Sequence, residues 1–166
     1  MTSTAACDTT TLPSIKALAE IHVVSLRGVV ANYRAQKTLW SQVTAFCAEH
    51  AIEIAGACFT IYYDTGYKEK DVDMEVCLPI TSDVAISESV ELGDIQLRTL
   101  PAVPKAASIT YIGNYNGLPK VYNTLYGWIS TNGYEPNAPV REVYLKMDPE
   151  DASEASFVTE LQQSLA

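Results

Sequence analysis

The stretch ASITYIGNYNGLPKVYNTLYGWISTNGYEPNAPVREVYLKM, residues 107–147, decides the fold. It opens on β-branched and aromatic residues over 107–112, which predicts a strand, and Gly113 closes it. Leu118–Thr131 then places Val121, Leu125, Trp128 and Ile129 at helical spacing. Pro119 near the first position and Gly133 just past the last bracket that helix with the expected asymmetry. Residues 140–147 return to a strand pattern. One face carries Arg141, Val143, Leu145 and Met147, and the other carries Val140, Glu142, Tyr144 and Lys146. The first set is mostly apolar and is expected to face the helix, which turns Glu142 and Tyr144 to the opposite side. Residues 157–162 read as the last strand.

The same series stands earlier in the chain. Residues 21–26 (IHVVSL) predict a strand followed by Gly28. Residues 38–49 predict a helix with Leu39, Val43 and Phe46 on its apolar face and Thr38 as N-cap. Residues 57–63 are strand-like, Asp64-Thr65-Gly66 is a turn signal, and Val72–Ile80 alternates cleanly. The repeat aligns Thr60 with Glu142, Tyr62 with Tyr144 and Glu75 with Glu160. It predicts an α+β fold, a tandem βαββ duplication forming an antiparallel sheet with helices on one face and a central ligand groove. Residues 1–14 are expected to be a flexible tail and 15–166 a single domain, with halves at 15–80 and 98–162 and a turn-rich boundary over 81–105. Thr60, Tyr62, Glu75, Cys77 and Glu160 are expected on the same sheet face as Glu142 and Tyr144. A merely wet sheet face with ordinary polar alternation is the plain alternative.

The 166 residues are 48% hydrophobic and 19% charged, a globular composition that excludes disorder and collagen-like repeats. A net charge of −9 repels phosphate backbones, so direct nucleic-acid binding is not expected. It would attract cations or basic surfaces. Tyrosine supplies 10 of the 15 aromatic residues, which suggests a pocket or interface with polar handles. Cys7, Cys47, Cys58 and Cys77 form no C-x-x-C pair, and His22 and His50 are far apart, so no metal site and no cofactor are expected. Neither a secretory signal nor a membrane span is legible, which predicts a cytoplasmic protein.

Three segments resemble the GyrI-like, or AraC-type effector-binding, small-molecule-binding domain: 111–149, 72–80 (VDMEVCLPI) and 28–64. The ordered set comprises Gly113-Asn114-Tyr115, the Trp-bearing helix ending in Gly133-Tyr134, Arg141-Glu142-Val143-Tyr144, Met74-Glu75-Val76-Cys77-Leu78-Pro79 and Thr159-Glu160-Leu161. The resemblance covers residues 15 to 162 and implies a stand-alone member, since the chain leaves no room for a DNA-binding module. It implies a groove for hydrophobic, often cationic, drug-like ligands, with a cation-pairing glutamate that matches Glu142. Tyr144, Tyr62, Thr60, Tyr111, Glu75 and Trp128 complete the expected ligand-binding set. Stand-alone relatives include a DNA gyrase inhibitor and hydrolases that open reactive cyclopropane rings. The alternatives to a multidrug-binding or drug-sequestering module are therefore a hydrolase, with Glu142 and Tyr144 as its catalytic pair, and a modulator of a topoisomerase partner. Where the family's last strand runs into an apolar-Pro ending, this chain reads Leu161-Gln162-Gln163-Ser164, which would make that end of the pocket more polar.

Overall fold

A computed structural model describes residues 9–64, 66, 68–85 and 92–166. In chain order the elements are β1 (Thr9–Thr10), β2 (Ser14–Leu18), β3 (Ile21–Val30), α1 (Lys37–Glu49), β4 (Phe59–Tyr62), β5 (Val72–Ile80), β6 (Ile95–Leu100), β7 (Val103–Ile112), α2 (Leu118–Thr131), β8 (Pro136–Lys146) and β9 (Val158–Leu165). Short 3-10 turns at Tyr33–Gln36 and Tyr115–Gly117 lead into the two helices. The fold is mixed α+β, with β1/β7, β3/β5, β3/β6, β4/β5, β7/β9 and β8/β9 antiparallel and the repeated order strand–helix–strand–strand visible twice.

The chain divides into two compact units, Leu18–Val103 and the remainder. In the first, the strands run β4-β5-β3-β6. Gly28 lies opposite Met74 and presses on α1, where an added Cβ would meet Leu39 at 3.3 Å. Met74, Val76 and Leu78 share that helix side with Val24 and Leu26, and all five are buried. In the second unit the order is β1-β7-β9-β8, with β2 also on β7. Ala107, Ile109, Tyr111 and Leu161 pack under Leu118, Val121, Leu125 and Ile129 of α2. Burying one such aliphatic side chain contributes about 1.5–3 kcal/mol.

Three elements depart from the sequence expectation. β1 lies within the expected flexible tail and pairs Thr9 and Thr10 with Ile112 and Tyr111. β2 pairs with β7, so residues 15–17 belong to the second unit rather than opening the first half. β6 falls in the expected turn-rich boundary. All three are short edge-type strands, and pairing with a neighbour's backbone forms them. The N-terminus of α1 also differs. Thr38 is not its cap, because Thr38 Oγ1 donates to the Ala35 carbonyl at 3.0 Å. Asn32 opens the preceding turn instead, accepting from the Ala35 N–H at 3.1 Å.

Candidate functional site

β8 carries Glu142 to the side of the sheet that α2 covers. Cross-strand partners share a face, and Glu142 stands opposite Leu161, a core residue under α2. The Tyr122 hydroxyl, on α2, donates to Glu142 Oε2 at 2.5 Å. Tyr144, the next residue on this face of β8, donates to the same carboxylate. Glu142 is only 8% exposed, and burial pushes its carboxyl up to about 7 against the opposing pull of those two phenols. None of the ion pairs among the described residues involves Glu142.

Aromatic rings surround this carboxylate. Tyr115 packs edge-on against Tyr144 at 6.0 Å and against Phe157 at 5.4 Å. Its phenol is pushed up to about 12 by burial and by the negative charges of Glu154 and Glu142. Tyr122 stacks on Tyr126 at 6.2 Å, and the Tyr126 hydroxyl donates to Gln163 Oε1 at 2.7 Å. The unusual Gln162-Gln163 ending thus supplies an acceptor to a helix tyrosine on the Glu142 side. Carboxylate, phenols and ring faces together suit a desolvated organic cation.

The other unit holds a neutral counterpart. Thr60 and Tyr62 of β4 face α1, as Val76 and Met74 opposite them do. Gln36 accepts from Trp40 Nε1 at 3.1 Å and from Thr60 Oγ1 at 3.2 Å, and its amide donates to Tyr62 Oη at 3.3 Å. Tyr33 packs edge-on against Tyr62 at 5.5 Å, as Tyr115 does against Tyr144. The alignment of Thr60 with Glu142 and of Tyr62 with Tyr144 therefore matches in register and in side. Where one copy carries a carboxylate, the other carries a threonine bound to an amide.

The expected single face of acidic and aromatic residues is corrected. Arg141 and Val143 lie away from α2, and Glu142 and Tyr144 face it. The apolar set was expected there, but α2 presents phenol hydroxyls at Tyr122 and Tyr126, and these need polar partners. Glu75, Cys77 and Glu160 lie on the opposite side from the Glu142-type positions, because Glu75 stands across from Ile61 and Glu160 across from Val143 and Thr110. Glu75 is closed in by Ser25 Oγ at 2.6 Å, Tyr63 Oη at 2.5 Å and Arg98 at 3.0 Å. Glu160 is bridged by Lys16 at 2.5 Å and receives the Gln162 amide at 3.0 Å. Tyr111 is 1% exposed, and its hydroxyl donates to the Asn114 carbonyl, a packing role. Trp128 stacks on Tyr134 at 5.9 Å, roughly 9 Å along the helix from Tyr122.

Sequence reasoning missed Tyr115, Tyr122, Tyr126 and Gln36. A signal was present for Tyr115: Asn32-Tyr33 and Asn114-Tyr115 recur 82 positions apart, and each asparagine caps the turn that aims its tyrosine. A separate cavity of about 440 Å³ is lined by His50, Glu53, Thr81 and Asp83 among others and holds none of the expected site residues. Among the described residues no cluster of His, Cys, Asp and Glu is placed to hold a metal ion, and no helix is long and apolar enough to cross a membrane.

Comparison with known proteins agrees with this fold. The chain superposes on the crystal structure of the EcmrR C-terminal domain with a TM-score of 0.80 at 24% identity, covering 96% of this chain and 98% of that one. It also matches EcmrR in a cryo-EM complex with DNA, with a TM-score of 0.80 at 26% identity, and spans 94% of itself but 57% of that chain. SAV2435 bound to tetraphenylphosphonium shares the fold at a TM-score of 0.56 and 15% identity, with 94% of each chain covered. A hydrolase from Listeria innocua does so at 0.66 and 11%, covering 93% of this chain and 92% of that one. A search of curated proteins finds no match. The GyrI-like small molecule binding domain is matched over residues 12–165, nearly the whole chain, and this protein belongs to that family.

Proposed function

We propose that this chain binds lipophilic, drug-like organic cations, with Glu142 as the charge anchor and Tyr115, Tyr122 and Tyr144 as its walls. One observation carries the reading: a buried carboxylate whose partners are phenols, with no basic side chain bridged to it among the described residues. Such a group is costly to ionise alone and becomes favourable when a cation arrives. SAV2435, of the same fold, has been determined with a lipophilic cation, which supports the ligand class. A multidrug-binding or drug-sequestering role follows from a pocket that recognises charge and aromatic surface rather than a specific outline.

A second reading is favoured by the value near 7 for Glu142. A carboxylate poised there is suited to act as general base on water attacking a cyclopropane carbon, with the Tyr122 or Tyr144 hydroxyl donating to the conjugated carbonyl oxygen that takes up the electron pair of the broken ring C–C bond. The topoisomerase reading rests on the family resemblance and on net charge, and gains nothing from the site. Incubation with a spirocyclopropane substrate separates the first two. Binding without catalytic ring-opened product supports the binding module. Multiple turnovers lost in Glu142→Gln support the hydrolase.

A further inference from the structure

The Glu142 face of the sheet also carries a hydroxyl without a hydrogen-bond partner among the described residues. Thr159 of β9 is 1% exposed, and its Oγ1 makes no hydrogen bond among the described residues. The register puts Thr159 across from Tyr144 on one side and Tyr111 on the other, on the face that carries Glu142. Neither phenol serves it: Tyr144 bonds to Glu142, and the Tyr111 hydroxyl bonds to the Asn114 carbonyl. Valine has the same shape and suits a buried strand better, so packing does not account for this threonine. A buried hydroxyl that has lost water and gained nothing is a cost that a ligand can remove.

Glu142 and Thr159 occupy diagonal positions on neighbouring strands, roughly 7–8 Å apart at the backbone and less at the side chains. Contact with both groups would require a ligand nitrogen placed between them. An ammonium group offers three donors, whereas a quaternary ammonium offers none. We propose that Thr159 Oγ1 is a ligand contact of the Glu142 site, and that the site takes a protonated primary amine on an aromatic body in preference to a cation without N–H groups. This deepens the cation-binding reading and rests on it.

Calorimetry with 1-naphthylmethylamine and its N,N,N-trimethyl analogue near pH 8 tests both levels, using wild type, Thr159→Val and Glu142→Gln. The wild type is expected to prefer the amine by about tenfold, the worth of one good hydrogen bond in a dry site. Thr159→Val should keep the affinity for the trimethyl cation, lose the preference, and melt no lower than wild type. Glu142→Gln should weaken both cations. An unchanged preference in Thr159→Val, or none in wild type, overturns the Thr159 assignment alone. Affinities for both cations that survive Glu142→Gln overturn the cation-anchor reading and this proposal with it.

Discussion

Tyr122 on α2 holds Glu142 on β8 through a 2.5 Å hydrogen bond, so the acid of the candidate site is fixed between helix and sheet rather than on an open surface. The bond favours the ionised carboxylate, and burial opposes it more strongly. Glu142 is therefore a group whose protonation a bound cation would shift.

Its pH dependence has a definite sign. The folded-state value near 7 lies above the ordinary carboxylate value. The protonated form is thus favoured by folding, and the associated stability is fully present below about pH 4 and is lost as pH rises through 7. Glu142→Gln should be more stable than wild type above pH 7, by up to about 3 kcal/mol, with the gain vanishing near pH 4. Chemical denaturation of both proteins across that range checks this. Cation binding should tighten as pH rises towards 7 and release up to one proton below it, which calorimetry in buffers of different ionisation enthalpy measures.

The Glu75 cluster should matter to stability and not to ligand. Arg98→Met leaves Glu75, 2% exposed, with only hydroxyl partners. Because Arg98 itself is 38% exposed, water moderates the loss, and about 1–3 kcal/mol is expected. Thermal unfolding should show that drop, with cation affinity unchanged because the cluster belongs to the unit that does not carry Glu142.

The ends of the two helices differ in one instructive way. Tyr134 N–H reaches the Ile129 carbonyl past Gly133 at φ 73°, and Ile52 N–H reaches the Cys47 carbonyl past Ala51 at φ 52°. The first is the glycine-capped helix end expected of a left-handed residue, while the second forces alanine into it. Ala51→Gly is expected to stabilise the protein by about 0.5–1 kcal/mol, raising the melting temperature by about 1–4 °C.

The repeated strand–helix–strand–strand order was readable because each helix announces itself: Pro119 and Gly133 bracket α2, and Val72–Ile80 alternates without interruption. Glu142 was readable from its place in the repeat and from the family resemblance. Its side of the sheet was not. Alternation states that Glu142 and Arg141 face opposite ways, but not which way the helix lies, and the hydroxyls of Tyr122 and Tyr126 made a polar face the inward one. Glu75 and Glu160 were misplaced for a related reason. Correct alignment along the chain does not fix the pleat of one strand against another, and only register places Ile61 opposite Glu75. Thr159 carried no signal at all, since an unpaired hydroxyl shows only in three dimensions.

The most direct test of the central claim is calorimetric titration of wild type and Glu142→Gln with a lipophilic cation and a neutral ligand of equal size near pH 8. The variant keeps the shape and removes the charge. It should bind the cation at least tenfold to a hundredfold more weakly while holding the neutral ligand almost as before. Equal affinity for the cation in wild type and variant would contradict the account and leave Glu142 a buried structural acid.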